Sequence, residues 1–278
     1  MDRIQAARRF YADMITAKAG ANDDRIRDAF ARVPREKFLG PGPWLAYVFQ
    51  SGAYVTTPTD DPVLVYQDIL FALAPEQGIN NGEPTLHARN LTAAAPKIGD
   101  QVLQVGVGTG YYTAILSDLV GASGQVAALE IDSVLADQAR DNLSDRANVT
   151  VHCRSGAEAP LPDSDVIYVS AGATHPMPAW LDALKPDGRL IFPLTSESSM
   201  GGMLLITRSD GGYAARFVSP AAFIPMIGGQ DEATAAGLVK AFESGGWQNV
   251  QSLVVDDRKP DESCWVAGNG WWLSTRPV

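Results

Sequence analysis

Between Arg8 and Arg32 apolar residues recur at helical spacing, with Phe10, Met14 and Ile15, and then Ile26, Ala29 and Phe30, falling on successive turns. The spacing predicts two amphipathic helices, and Asn22-Asp23-Asp24 offers side chains able to cap the second. From Gly40 to Pro62 glycine, proline and aromatic residues crowd together, which reads as an ordered loop region. Residues 1–75 are therefore expected to form a helical cap.

From Asp100 the period changes. Short apolar runs at 100–105, 125–131, 148–152, 165–170 and 188–194 read as buried strands, and 113–120 and 134–143 read as helices between them. Strand alternating with helix predicts a parallel, doubly wound sheet. Segments 203–208 and 213–218, joined by Asp210-Gly211-Gly212, instead read as an antiparallel hairpin at the sheet edge. Beyond Gly229 a helix (233–243) and two more strands (250–255 and 264–266) form a tail, with Trp265, Trp271 and Trp272 as its anchors on the core. The predicted class is α/β: a mostly parallel, seven-stranded, Rossmann-like sheet over residues 76–229. A helical cap over 1–75 precedes it and an α/β extension over 230–278 packs on it.

With 278 residues, 46% of them hydrophobic, the chain can bury a large core without covalent staples. No apolar run approaches the roughly 20 residues that span a bilayer. The charged start, Met1-Asp2-Arg3-Ile4-Gln5, lacks the apolar stretch of a secretory signal, so a cytoplasmic protein with no membrane partner is expected. A net charge of −10, without any run of lysine or arginine, argues against a nucleic-acid partner. Cys153 and Cys264 are far apart, and His87, His152 and His175 show no paired ligand spacing. Neither a disulfide nor a bound metal is expected.

The chemistry concentrates where the first predicted strand turns into a helix. Gly106-Val107-Gly108-Thr109-Gly110-Tyr111 places three glycines at that turn, where a ligand can touch backbone and meet helix N–H groups. The spacing is not that of dinucleotide folds, because Tyr111 stands where their third glycine would be. Glu130, about twenty residues on at the end of the second strand, is placed to accept hydrogen bonds from ribose hydroxyls. Asp132 is read as the cap of the next helix. Gly106, Gly108, Thr109, Gly110, Tyr111 and Glu130 are the candidate cofactor residues.

Several stretches together resemble the protein-L-isoaspartate O-methyltransferases: Val33-Pro34-Arg35-Glu36-Lys37-Phe38, Tyr66-Gln67-Asp68, the glycine run with Tyr111-Tyr112-Thr113-Ala114, and Arg216-Phe217-Val218 with Pro225. The resemblance covers roughly residues 25–228. It implies a class I methyltransferase fold, S-adenosylmethionine as donor and a carboxylate acceptor. It also implies that Ser155 and Gly156, within Arg154-Ser155-Gly156, stand where the family's glycine-aspartate-glycine meets adenine.

Three departures stand out. Ser155 replaces an aspartate, Gln104 replaces the acid that ends the first strand, and Asn80-Asn81-Gly82-Glu83-Pro84 replaces threonine-isoleucine-serine before a proline. The acceptor hydroxyl is thus missing at Gly82, and activity on a generic isoaspartyl peptide is expected to be weak or absent. Asn80 and Asn81 can donate amide hydrogen bonds to an acceptor carboxylate or cap the helix that begins at Pro84. Glu83 repels an anionic acceptor if it points inward. An ionised carboxylate needs no base, whereas a hydroxyl or amine acceptor does, with His87, Asp68 and His175 as candidates. Asn80, Asn81 and His87 are the candidate catalytic residues. The acceptor is a peptide or a small molecule; a non-catalytic S-adenosylmethionine-binding module is the alternative from another class.

Overall fold

The computed structural model describes residues 2–196, 201–256 and 259–278. Its elements, in chain order, begin with helices α1 (Arg3–Ala19) and α2 (Asp24–Arg32), strands β1 (Leu45–Val48), β2 (Ala53–Thr56), β3 (Ala72–Ala74) and β4 (Ile79–Asn80), and α3 (Pro84–Ala94). Then come β5 (Gln101–Val105), α4 (Tyr111–Val120), β6 (Gln125–Glu130), α5 (Ser133–Asn142), β7 (Val149–Cys153) and β8 (Ser164–Val169). The chain ends with α6 (Pro178–Asp182), β9 (Leu184–Leu194), β10 (Gly201–Ser209), β11 (Gly212–Ala221), α7 (Glu232–Ser244), β12 (Ser252–Val254), β13 (Cys264–Gly268) and β14 (Trp271–Ser274). The seven strands expected between residues 100 and 218 are all present, as β5 to β11. No helix among the described residues is long and apolar enough to cross a membrane.

Two compact units divide the chain: Met1–Gly99 with Val107–Arg154, and Asp100–Gly106 with Ser155–Val278. In the second, strands lie in the order β13-β14-β12-β11-β10-β9-β8-β5. β5, β8 and β9 run parallel, in the register Val102↔Val166 and Ile167↔Leu190, and every later pairing is antiparallel. β5 and β8 are buried on both faces, which is why Val102-Leu103 and Val166-Ile167-Tyr168-Val169 lack the alternation of a half-exposed strand. The tail differs from expectation by one strand, because Trp271 and Trp272 fall inside β14 rather than after the last strand. Neighbouring strand residues face opposite sides, so two adjacent tryptophans give no alternating signal, and both are nevertheless buried. Trp265 packs with Phe217 and Phe242 at ring separations of 5.3 and 5.0 Å, binding α7 and β13 to β11.

In the first unit α1 ends at Gly20, and Asp23 caps α2 by accepting the Arg25 N–H at 2.9 Å. Ile15, Ile26, Ala29 and Phe30 are buried as their spacing predicts, whereas Phe10, expected on the same stripe, is exposed and its neighbour Tyr11 takes the buried place. The 40–62 stretch is more regular than a loop: β1 and β2 pair as a hairpin with Leu45 opposite Thr56. β6 and β7 are parallel, and Asp132 caps α5 through the N–H groups of Val134 and Leu135.

Arg35 organises this unit. Its side chain is fully buried, and its guanidinium donates to the carbonyls of Val65 (2.8 Å), Gln67 (2.6 Å) and Ile69 (2.8 Å). The rings of Phe71, Tyr11 and Tyr111 surround it at 5.1, 5.6 and 5.9 Å. Segment 65–69 has no strand or helix partner for those carbonyls, so the guanidinium meets a demand that regular structure elsewhere meets with N–H groups. Arg35→Met keeps the apolar stem and leaves three acceptors without their donor. At about 1–3 kcal/mol per orphaned group, eased by partial rehydration, the loss expected in urea unfolding is about 2–5 kcal/mol. An unchanged midpoint and slope would show that the clamp holds nothing.

Candidate functional site

The first unit contains most of the residues singled out in the sequence. α4 starts at Tyr111, directly after the glycine turn, and the backbone bends through Gly108 at φ 57° and Gly110 at φ 97°. At Gly108 a Cβ would stand 3.2 Å from Leu73 Cδ1 of β3, so a side chain there would push the β3 hairpin away from the turn. Gly110 has a packing role, since a Cβ would meet Leu143 Cδ1 at 2.8 Å. The N–H of Gly108 donates to Glu130 Oε2 at 2.7 Å, while those of Ile131 and Asp132 donate to Oε1 at 2.9 and 3.1 Å. Glu130 is thereby fixed at the end of β6. A carboxylate oxygen accepts about two hydrogen bonds, so Oε2 retains acceptor capacity.

Thr109 and Tyr111 have structural partners. The Thr109 hydroxyl donates to the Phe38 carbonyl, and its own carbonyl accepts from Asn142 Nδ2 at 3.0 Å. Tyr111 is buried against Phe30 and Phe38, and burial pushes its phenol well above the ordinary range. Gly106, Ser155 and Gly156 belong to the second unit. There Ser155 Oγ accepts the Ala157 N–H at 3.1 Å. A Cβ on Gly156 would lie 2.3 Å from Val105 Cγ1, and its carbonyl accepts from Trp180 Nε1 at 2.8 Å. Gln104, on β5 in the same unit, is buried with no hydrogen-bond partner for its Oε1.

The predicted acceptor residues gather where β4 runs into α3. Neither asparagine caps the helix. Asp68 does so from a distance, accepting the Thr85 N–H at 2.9 Å and its hydroxyl at 2.6 Å, with Lys18 Nζ at 3.0 Å. Half-burial pushes the Asp68 carboxyl upward, yet the bonds from Thr85 and Lys18 hold it below the usual range. Asn80 Oδ1 closes a tight turn on the Gly82 N–H at 3.0 Å. Asn81 extends the β3–β4 hairpin with its side chain, Oδ1 accepting the Phe71 N–H at 2.8 Å while its own N–H donates to the Phe71 carbonyl. Asn81 is only 7% exposed, and its Nδ2 is buried with no hydrogen-bond partner. Burial, and then the charge of Asp68, raises the Glu83 carboxyl.

Gly82 sits at φ 75°, and a Cβ on it would fall 2.3 Å from His87 Nε2 and 3.2 Å from Tyr112. The missing side chain therefore leaves no void, because His87 occupies its place. The imidazole lies flat on Tyr112 at 3.6 Å, with 9° between the planes, and the Tyr112 hydroxyl donates to the Gly82 carbonyl at 3.2 Å. Tyr112 and Arg35 were quoted in the sequence only as family-like residues, yet they connect the glycine turn to the acceptor hairpin. His175, the remaining histidine candidate, lies in the second unit.

Burial, with a further push from the Arg35 charge, lowers the His87 pKa from 6.5 to about 3. The unfolded chain therefore binds a proton below pH 6.5 that the folded chain refuses. Stability present above pH 6.5 is lost as pH falls from 6.5 toward 3, by about 1.4 kcal/mol per pH unit from this residue. His87→Phe, which keeps a flat ring, is expected to flatten that slope by one proton in unfolding measured between pH 7 and 5. Parallel curves for the two proteins would contradict the buried neutral imidazole.

Residues 12–231 match the family model for protein-L-isoaspartate(D-aspartate) O-methyltransferase. The chain is 30% identical over 206 residues to a protein-L-isoaspartate O-methyltransferase of Ignicoccus hospitalis, covering 73% of this chain and 88% of that one. It is 35% identical over 216 residues to protein-L-isoaspartate O-methyltransferase 1 of Cupriavidus necator, covering 75% and 73%. Two solved structures share the fold. One, a protein-L-isoaspartate O-methyltransferase, aligns with a TM-score of 0.65 at 24% identity over 90% of this chain and 74% of that one. The other, a putative Plasmodium falciparum enzyme in complex with S-adenosyl-L-homocysteine, aligns at 0.64 and 18% over 79% and 98%. With four-fifths of its length inside the family match and the class I fold beneath it, the chain belongs to the S-adenosylmethionine-dependent protein-L-isoaspartate O-methyltransferase family.

Proposed function

We propose that this protein methylates a carboxylate on a peptide, with Glu130 and the glycine turn holding the cofactor and Asn81 presenting a hydrogen bond to the acceptor. The observation that carries the reading is the Asn81 Nδ2 group, a buried donor whose oxygen is committed to Phe71 and whose hydrogens have no partner. A buried amide left unpaired costs about 1–3 kcal/mol, a cost removed when an acceptor oxygen arrives. S-adenosylmethionine, when bound, supplies a methyl group on a positively charged sulfur, which an ionised carboxylate takes without giving up a proton. The residues fit that cofactor in one respect: Glu130 Oε2 keeps acceptor capacity for a ribose hydroxyl.

His87 serves this chemistry as a wall. Kept neutral by burial, it adds no positive charge and takes up no proton near neutral pH. A carboxylate acceptor asks for neither; alignment and the exclusion of water are what the hairpin and the Tyr112 stack supply. The isoaspartyl class follows from the family, and the replacement of a residue-82 side chain by His87 supports a narrower choice among such peptides.

Transfer of labelled methyl to an isoaspartyl peptide, with its aspartyl twin as control, tests the reading. Transfer is expected to favour the isoaspartyl peptide at well below 10 per second. Asn81→Leu is expected to lower kcat/KM about ten- to a hundred-fold with S-adenosylhomocysteine affinity unchanged, whereas Glu130→Ala weakens that affinity by about 1–3 kcal/mol. Full activity in Asn81→Leu, or no transfer to either peptide while the cofactor binds, would overturn the assignment.

A further inference from the structure

The second unit contains a cleft of about 360 Å³ that belongs to neither the glycine turn nor the acceptor hairpin. Part of its lining comes from His175, Leu181 and Asp182 at α6, and part from Asp231 at the head of α7. The rest includes Tyr213, Val255 and Trp271. The family match stops at residue 231, so Val255 and Trp271 come from a stretch that lies outside it.

We propose that this cleft binds the basic side chain of a peptide, an arginine guanidinium or a lysine ammonium. Its lining includes two carboxylates, Asp182 and Asp231, and no lysine or arginine among the described residues. Asp231 accepts the Thr234 N–H on Oδ1 at 2.7 Å and a further bond from the Thr234 side chain, and its two oxygens keep acceptor capacity for a guest. Bonds from Thr234 hold that carboxyl below the usual range. Burial lowers the His175 pKa against the opposing pull of Asp231, so the imidazole adds no compensating charge near neutral pH. An anion would meet like charge here, which favours a cationic guest. Trp271 and Tyr213 add aromatic surface that attracts a cation, and Leu181 and Val255 suit the methylene stem behind it. The volume is at the small end of ligand clefts, about 300–1,000 Å³, which suits one long side chain and its backbone.

The full chain, labelled with nitrogen-15 at its tryptophan indoles, can be titrated with acetylated tripeptide amides carrying arginine, norleucine or glutamate between two glycines. The arginine peptide is expected to move the Trp271 signal with a Kd near 1 mM, on the order of 4 kcal/mol of binding. Norleucine should bind at least about fivefold more weakly and glutamate should leave the signal in place. The double variant Asp182→Asn with Asp231→Asn keeps the α7 cap, because asparagine caps as well as aspartate. It should retain the parent's melting temperature and weaken the arginine peptide about fivefold or more. The proposal fails if arginine leaves Trp271 unmoved, if the three peptides bind alike, or if the folded double variant binds arginine as the parent does.

Discussion

A cation buried among backbone carbonyls sets the arrangement of the β3–β4 hairpin and the start of α3, where the proposed acceptor residues lie. Arg35 holds Val65, Gln67 and Ile69 by their oxygens, and the chain between them has no other regular support. Asp68 falls within the clamped segment and reaches across to Thr85, so the first turn of α3 is capped by a residue whose position Arg35 determines. Phe71, three residues further on, both stacks on the guanidinium and pairs with Asn81. The buried amide of Asn81, the turn at Gly82 and the His87–Tyr112 stack all follow from that sequence of contacts. His87 is kept neutral by burial first, with the Arg35 charge adding to the effect.

The cofactor side rests on a different constraint. Gly108 and Glu130 are joined by a direct backbone-to-carboxylate bond, and Gly110 lets α4 begin against Leu143. Both contacts tie the glycine turn to residues later in the chain, and at Gly110 a side chain would collide with Leu143. The acceptor hairpin shows the opposite behaviour. Gly82 has no side chain, and the imidazole of His87 fills the space that one would take, so no cavity is left there. A fold that fixes the donor and lets the acceptor wall be repacked in this way can keep one chemistry while changing what it is applied to.

This division explains which parts of the molecule were legible in the sequence. Buried parallel strands such as β5 and β8 announce themselves as short apolar runs without alternation, and the glycine turn and Glu130 stand at a spacing that can be read directly from the chain. The role of Arg35 was hidden, because its partners are carbonyls 30 to 34 residues away and carbonyls carry no sequence signal. The cap of α3 was sought in the adjacent asparagines for the same reason, whereas Asp68 supplies it from 17 residues upstream. The packing role of His87 was hidden as well, because nothing in the sequence links its ring to Gly82 and Tyr112. β14 was missed because Trp271 and Trp272 fill both faces of one strand.

The central claim is that Asp68, held by the Arg35 clamp, orders the acceptor hairpin and leaves the cofactor turn alone. Hydrogen exchange on Asp68→Ala, read alongside S-adenosylhomocysteine affinity, tests it most directly. The account predicts faster exchange across residues 79–88, with the Thr85 N–H most affected, while residues 108–111 stay protected and the affinity holds. Unchanged protection across 79–88, or an equal loss at the glycine turn, would contradict it.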